Sequence, residues 1–376
     1  MFKRVTVGLG VLAMAFVAAN AQAQNFDDPD EFNKQRQQLE MTPNGPEGQP
    51  WLQYLGDAMV DTSAHKKDGP YTVCFSNAGV NNPWRVVGYT NMQAEVELHE
   101  EIGNFVHVDA EGSDDKQIAD IEDLLAGGDC DVLIVSPNTT AALTPAVERA
   151  CQQLPVIVFD RGVNTDCPVT FIHPIGGYAF GIEAAEFIAD NVEQGANVLM
   201  LRILPGVDVL ETRYSAGKRI FDEAGINIAG AEFTDGDNAK TKSIVEDYLQ
   251  RGQIDAVWMD AGATAVAAIE AFEDNGLEVP PFNGEDQQDF LQKWRDLGMT
   301  AIAPTYPTFQ WRTPIIAAMS VLKGEEVPGP EWVLPQPAIT AENLDDYINE
   351  SMPPLHYAMC GCEEMPNYPA RWGGRD

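Results

Sequence analysis

Basic side chains are scarce in this chain of 376 residues. It contains 23 lysines and arginines against 58 aspartates and glutamates, which gives a formal net charge of −35. A surface this acidic is repelled by nucleic-acid phosphates and by anionic membranes. The composition therefore argues against both as partners, and a solvated acidic surface is the simplest interpretation of the charge.

Catalytic motifs are also missing. The sequence contains no G-x-S-x-G nucleophile turn, no H-E-x-x-H zinc motif and no G-x-x-x-x-G-K phosphate loop. With 58 acidic residues, neighbouring carboxylates arise by chance and do not indicate glycoside hydrolysis. We therefore expect a protein that is not an enzyme and that uses no cofactor and no metal.

Long apolar runs are confined to the N-terminus. The basic start "MFKR" precedes an apolar stretch that ends in "ANAQAQ", which is typical of a secretory signal peptide over residues 1–24, cleaved near residues 22–24. A membrane anchor is the alternative, because the stretch is close to the minimum spanning length. The first cysteine is Cys74, so lipid attachment at the mature N-terminus is not expected. The sequence predicts a soluble, exported protein.

The chain has only six cysteines. In an oxidising compartment they can form disulfides, and fifteen pairings are possible. Cys151 ends a predicted helix and Cys167 precedes the next strand, which places both at the same edge of a parallel sheet. We therefore expect a Cys151–Cys167 disulfide. Cys360 and Cys362 resemble metal ligands, but no second cluster at zinc spacing accompanies them, so we expect a structural role.

An alternating pattern begins at Tyr71, after a polar extension (residues 25–70) with one predicted short helix around Trp51–Val60. Short apolar runs such as "YTVCFS", "DVLIVSP" and "IDAVWMD" alternate with segments of helical spacing. Unbroken apolar strands between amphipathic helices indicate parallel sheets covered on both faces. About nine such units predict two doubly wound α/β domains, with a single eight-stranded barrel as the alternative.

Polar side chains follow the strands at the point where each strand ends, which is where open α/β sheets bind ligands. Carboxylates, amides, arginines and aromatics of this kind suit a polyhydroxylated ligand, because each hydroxyl both donates and accepts. Five of these residues also have a purely structural interpretation. Asp160 and Arg161 could form a local ion pair, Trp84 could pack at the start of a helix, and Asp260 and Asp286 could be helix N-caps.

Several motifs carry a resemblance to a known family. They are "NNPWR" after the first strand, "VIVFDRG" after the fourth, and "VWMDAGATAVAAIEAF" and "FNGED" in the second half. Over roughly residues 71–344 the chain resembles the periplasmic sugar-binding proteins of ABC importers, of the ribose, galactose and xylose type. The resemblance implies ligand-binding roles for Asn82, Trp84, Arg85, Ser136, Asp160, Arg161, Arg213, Asp260, Asp286 and Tyr306.

The resemblance also implies an architecture. Two similar domains, residues 71–174 plus 305–334 and residues 175–304 plus 335–376, would be joined by three hinge crossings with the ligand in the cleft between them. Three departures from the family are visible, one of which is that Arg213 lies one residue off the usual spacing to Gly217. Gly236 stands where relatives often have an aromatic, and Arg85 stands where a ribose-type binder has a second aromatic.

The expected function is that of a periplasmic receptor, a monomer that captures a monosaccharide or related polyol by hinge closure and delivers it to a membrane ABC permease. A sugar-sensing receptor for chemotaxis or signalling has the same sequence features. A secreted α/β sugar-processing enzyme and the ligand-binding half of a repressor are weaker alternatives, the latter because of the signal peptide.

Overall fold

The computed structural model describes residues 26–375, so the predicted signal peptide lies outside the described residues. Within residues 26–375, none of the helices is both long and apolar enough to cross a membrane.

The N-terminal extension differs from its prediction. Its helix is α1 (Pro29–Leu39), where the Asp28 side chain accepts hydrogen bonds from two backbone amides of the first turn and Pro29 occupies the first helical position. The helix predicted around Trp51–Val60 is wrong. A 3-10 turn over Pro50–Leu52 ends before Gly56, whose φ of +85° breaks any helix, and the chain then forms the strand β1 (Met59–Val60).

The first α/β unit is built from five strands and the helices between them. Their order along the chain is β2 (Tyr71–Asn77), α2 (Pro83–Glu97), β3 (Ile102–Asp109), α3 (Asp114–Gly127), β4 (Val132–Ser136), α4 (Thr140–Cys151), β5 (Val156–Phe159) and β6 (Thr170–Pro174).

The second unit repeats the pattern, and the chain then returns to the first. The second unit comprises α5 (Gly177–Asp190), β7 (Asn197–Arg202), α6 (Asp208–Ala224), β8 (Asn227–Phe233), α7 (Asn238–Arg251), β9 (Ala256–Met259), α8 (Ala265–Asp274), β10 (Phe282–Asn283), α9 (Gln288–Leu297) and β11 (Ala301–Ile302). The last elements are α10 (Thr313–Lys323), β12 (Val327–Pro328), β13 (Glu331–Leu334) and α11 (Leu344–Tyr347).

All strands from β2 to β13 except β12 form two open sheets, which confirms the predicted α/β class and rules out a single closed barrel. The first sheet has the order β13-β6-β5-β4-β2-β3 and the second the order β11-β10-β9-β7-β8, and every neighbouring pair within them is parallel. Because β13 pairs with β6, the chain passes between the sheets three times: after β6, after β11 and after β13.

Burial explains the apolar runs. Every residue of β4, β5 and β9 is buried, as expected for parallel strands covered by helices on both faces. The helix faces predicted from spacing also point inward: Ile121 of α3 and Val245 of α7 are fully buried. The short strand β1 pairs antiparallel with β12 and ties the N-terminal extension to the first unit.

Three disulfides are present. Cys151 is paired with Cys167, as expected from the sequence, and Cys74 is paired with Cys130, which joins β2 to the turn before β4. The third disulfide joins Cys360 to Cys362, with one residue between them.

The last segment, residues 349–375, is called the C-terminal tail below. It packs on both units: the Asn91 side chain of α2 donates to the carbonyl of Cys360 (2.9 Å), while the backbone amide of Gln288 in α9 donates to the carbonyl of His356 (3.0 Å). The sequence groups the tail with the second domain and leaves its role open, and in the structure the tail contacts both units.

Candidate functional site

A cavity of about 180 Å³ lies between the two units, at the carboxyl ends of their strands. This is the position at which open parallel sheets bind ligands. Seven of the ten residues predicted from the sequence line it: Asn82, Trp84, Arg85, Asp160, Arg161, Arg213 and Tyr306.

The wall from the first unit is built on a buried ion pair. Arg85 lies in the first turn of α2, where Asn82 caps the helix by accepting the Arg85 backbone amide (3.0 Å). The Arg85 guanidinium meets the Asp160 carboxylate at 2.7 Å, and both side chains are about 95 % buried. Burial lowers the pKa of Arg85, and the Asp160 carboxylate opposes that shift. The pair presents donors and acceptors together at the cavity.

Two aromatic rings complete this wall. Trp84, next to Arg85, donates its indole N–H to the carbonyl of Tyr306 (2.7 Å), and the two ring centroids are 5.7 Å apart. The Tyr306 hydroxyl donates to the carbonyl of Asp160 (3.2 Å), and burial raises the Tyr306 pKa so that its hydroxyl stays protonated. Asp160 itself adopts a φ of +69°, which turns its carboxylate toward Arg85 of α2 rather than toward its neighbour Arg161. Within residues 26–375 the predicted local Asp160–Arg161 ion pair is not formed.

A second buried ion pair stands on the opposite wall. Arg213 of α6 contacts the Glu285 carboxylate at 2.9 Å and donates to the carbonyl of Asp260 at 2.6 Å. Its guanidinium also lies 3.9 Å from the ring centroid of Phe180. The Glu285 carboxylate in addition accepts the backbone amide of Gly262 (3.1 Å) and lies 3.4 Å from the Tyr357 hydroxyl. Each unit thus presents one arginine–carboxylate pair.

The rest of the second wall is aliphatic. A methyl group of Ile203 lies 3.4 Å from the point at which a Cβ on Gly236 would stand, so an aliphatic side chain fills the space beside the glycine noted in the sequence. The apolar members of this wall are Ile203, Leu204, Val207, Val209, Leu210, Ala261 and Ala263. They offer the ligand an apolar surface opposite Trp84.

Three residues predicted to bind ligand lie behind the cavity wall and support it. Ser136 is fully buried, 3.4 Å from both the Arg85 guanidinium and the Asp160 carboxylate. Asp260 accepts the backbone amide of Ile203 (2.8 Å), and Asp286 accepts that of Met359 (2.7 Å). Neither aspartate caps the helix that follows it, so the helix-cap interpretation is wrong for both. Burial raises the pKa of each to about 7.

Sequence reasoning missed two polar residues of the cavity. Glu285 sits beside Asp286 in "FNGED", and its position gave as much signal as that of its neighbour. Tyr357 belongs to the C-terminal tail, far from any strand end, so no pattern in the sequence placed it at the site. Its hydroxyl reaches the cavity because the tail crosses from α9 to α2.

The two units also touch at the mouth of the cleft. The Thr140 hydroxyl, in the first turn of α4, donates to the Asp208 carboxylate at the start of α6 (3.3 Å). Beside this contact, the Arg161 guanidinium donates to the carbonyl of Asn138 and lines both the cavity and its mouth. A hydrogen bond between the two units at this point indicates a closed cleft.

Comparison with known proteins agrees with this geometry. A family model described as a periplasmic binding protein domain matches residues 73–326. A ribose import binding protein of Bacillus subtilis (strain 168) is 28 % identical over 72 % of this chain and 87 % of its own length. The D-xylose-binding periplasmic protein of Escherichia coli (strain K12) is 31 % identical over 48 % of this chain and 57 % of its own length.

Solved structures share the fold. An ABC transporter solute-binding protein of Bacillus halodurans C-125, solved with bound myo-inositol, superimposes with a TM-score of 0.67 at 20 % identity, over 75 % of this chain and 98 % of its own.

Proposed function

Because this chain belongs to the periplasmic binding protein domain family, we propose that it is an exported receptor that captures a monosaccharide or related polyol and delivers it to a membrane ABC permease. Proteins of this family bind solutes and carry out no covalent chemistry. Ribose, xylose and myo-inositol, named for the relatives and neighbours described above, define the ligand class to be tested.

The observation that carries the proposal is the matched pair of buried arginine–carboxylate contacts, Arg85–Asp160 and Arg213–Glu285, on opposite walls of one small cavity. Carboxylate oxygens accept from sugar hydroxyls and guanidinium groups donate to them, so both halves of a hydroxyl's bonding capacity are met. Trp84 supplies an aromatic face for the C–H side of the ring.

The mechanism follows from the two-unit architecture. The ligand binds one wall when the cleft is open, and closure adds contacts from the other wall and expels water. The ligand shifts the balance toward the closed form by its extra affinity for that form. Bound ligand and closed shape together provide the surface that the permease recognises.

Thermal unfolding in the presence of single compounds tests the proposal. A ligand that binds the native state alone raises the melting temperature, by an amount that grows with its concentration relative to Kd. The panel is ribose, xylose, arabinose, allose, myo-inositol and glucuronate, with sodium chloride as the control for the glucuronate salt. We expect at least one sugar or polyol to raise the melting temperature, and calorimetry then gives its Kd. If no sugar, polyol or sugar acid shifts the transition, the proposal is wrong.

A further inference from the structure

A cluster of metal-ligating side chains lies in the C-terminal tail, and none of its three members lines the cavity between the units. One donor atom from each of His356, Cys360 and Cys362 lies within 4.8 Å of the other two, and all three side chains are buried. From sequence, the C-x-C pair lacked a partner. The fold supplies one, because the turn after His356 brings its imidazole beside the two sulfurs.

Stabilisation of the fold is a poor explanation for the Cys360–Cys362 disulfide. Cross-links stabilise mainly by restricting the unfolded chain, and the effect grows with the length of the loop they close. The disulfides Cys74–Cys130 and Cys151–Cys167 have sequence separations of 56 and 16, whereas this one has a separation of 2. It restricts little of the unfolded chain, so its buried sulfurs call for another explanation.

The donors match a thiophilic cation in charge and in number. Two thiolates and one neutral imidazole balance the charge of a divalent cation. A carboxylate as the fourth ligand adds one negative charge, and the Arg312 guanidinium at the carbonyl of Gly361 supplies a positive charge beside it. One imidazole nitrogen of His356, Nδ1, is buried without a hydrogen-bond partner within residues 26–375. The Glu363 carboxylate lies 3.5 Å from the Cys360 sulfur, within reach as a fourth ligand.

Hydrogen bonds hold the backbone around the cluster from both units. Asn91 of α2 donates to the carbonyl of Cys360, and the backbone of Gln288 in α9 donates to that of His356. The Arg312 guanidinium donates to the carbonyl of Gly361, which lies between the two cysteines at a φ of +60°. Metal sites owe their geometry to such outer contacts.

We propose that in the reduced protein His356, Cys360 and Cys362 bind one thiophilic d¹⁰ cation, such as Zn²⁺, with Glu363 as the fourth ligand. Reduction of the disulfide takes two electrons and two protons from a dithiol, which becomes a disulfide. Binding of the cation then releases two protons from the two thiols. The tail thus has two alternative cross-links: the disulfide, which lies after Tyr357, and a metal, which would join His356 before Tyr357 to the two cysteines after it. This proposal does not rest on the proposed function.

The test uses the full mature chain. A phosphine first reduces the disulfides and is itself oxidised to the phosphine oxide with oxygen from water. The reduced protein is then titrated with Cd²⁺ as the probe. We expect one equivalent to bind with a thiolate-to-cadmium charge-transfer band in the ultraviolet, and Zn²⁺ to displace it. The unreduced protein should show no band. Alkylation and mass spectrometry establish that residues 360 and 362 are free thiols.

Matched variants separate this site from the other four cysteines. The double variant Cys360→Ser/Cys362→Ser, reduced in the same way, should lose the band, and His356→Asn should bind at least about tenfold more weakly. The control His65→Asn, on the N-terminal extension, should bind as the wild type does. If His356→Asn does not fold, X-ray absorption of the zinc-loaded wild type decides, with two sulfurs and at least one nitrogen expected. Three outcomes would overturn the proposal. The charge-transfer band survives in the double variant, the reduced wild type shows no band, or the Cys360–Cys362 disulfide resists reduction in the folded protein.

Discussion

Asp160 neutralises the buried guanidinium of Arg85 in the wall of the cleft, and we propose that its carboxylate also accepts from the ligand. Replacement by asparagine keeps the volume but removes the charge and a charge-assisted hydrogen bond. We expect Asp160→Asn to weaken binding of the sugar found by thermal unfolding by at least about 30-fold, or ~2 kcal/mol. Isothermal titration calorimetry measures the change.

The control for this prediction is Asp274→Asn, at the exposed end of α8, where the carboxylate contacts the surface lysine Lys242. It should leave Kd unchanged. An Asp160→Asn protein that is folded by circular dichroism and binds as tightly as the wild type would remove Asp160 from the site.

Tyr357 brings the C-terminal tail into the cleft, and its hydroxyl lies 3.4 Å from Glu285. Tyr357→Phe removes only this hydroxyl, so we expect about a fivefold increase in Kd for the same sugar, equal to the ~1 kcal/mol of a typical hydrogen bond. Tyr368→Phe is the matched control, because that hydroxyl accepts a hydrogen bond from Asn349 elsewhere in the tail. Equal Kd values for the two variants would show that Tyr357 takes no part in binding.

At this scale the sequence could place residues that follow a strand end at the cavity, while their ligand-binding roles stay predictions. Arg85, Asp160 and Arg213 were identified from their positions after strand ends, and all three line the cavity. A position after a strand end does not show whether a side chain lines the cavity or lies behind the cavity wall. Asp286 and Glu285 are adjacent in sequence, but the carboxylate of Asp286 is turned toward the tail, and that depends on contacts made more than 70 residues away.

At the scale of elements, Asp286 joins the end of β10 to the C-terminal tail. It accepts the amide of Met359 through its carboxylate and the amide of Ala358 through its carbonyl. Burial raises the Asp286 pKa from an ordinary 3.8 to about 7, and the neighbouring Glu285 carboxylate adds to the shift. Between these two values the folded protein holds a proton that the unfolded chain has released.

This shift predicts a pH dependence of stability. The contribution of Asp286 is fully present below pH 3.8 and declines as the pH rises to about 7, because ionising the buried group costs free energy. Asp286→Asn stays neutral and still accepts from Met359. We therefore expect the wild type to lose on the order of 1 kcal/mol or more of unfolding free energy between pH 5 and pH 8 relative to Asp286→Asn. Urea unfolding at both values measures the difference.

Asp274→Asn again provides the comparison, since its carboxylate is exposed. Parallel pH profiles for the wild type and Asp286→Asn would contradict the prediction. Other buried carboxyls, such as Glu183 with a pKa raised to about 8 by burial, impose the same sign of slope on both proteins and cancel in the difference.

Helices and strands could be predicted wherever the spacing of apolar residues and a glycine at the end of the segment indicated the same element. Strand β4 and the helices α3 and α7 that cover the sheets are examples. The extension over residues 25–70 could not, because its order comes from tertiary contact. Trp51 accepts a hydrogen bond from Thr313 at its carbonyl and stacks on Arg312, while Leu55 pairs with Val333 of β13. None of these partners is near in sequence, so no local pattern marked the segment as structured.

At the scale of the whole molecule, both ends of the described chain bridge the two units. The Gln35 side chain of α1 accepts the backbone amide of Ala179 in α5, while Lys34 pairs with Glu331 of β13 at 3.2 Å. The C-terminal tail makes the corresponding bridge between α2 and α9. The N-terminal extension and the C-terminal tail must therefore move when the hinge closes.

The contact between Thr140 and Asp208 spans the mouth of the cleft and belongs to the closed form. Thr140→Val keeps the shape of the side chain and removes the hydroxyl that donates across the cleft. The closed form should lose about 1 kcal/mol relative to the open form. If the wild type without ligand is largely open, Kd for the sugar rises up to about fivefold, because the ligand must drive closure against a less favourable balance.

Two measurements separate a shift in closure from damage to the site. Small-angle scattering should show a radius of gyration for ligand-free Thr140→Val at least as large as that of the wild type, and the same compact value for both proteins at saturating sugar. Thr90→Val is the matched control, because that hydroxyl donates within its own helix to the carbonyl of Val86. Unchanged affinity together with unchanged scattering in Thr140→Val would show that this contact does not hold the cleft closed, and closure would then rest on the ligand and the three crossings alone.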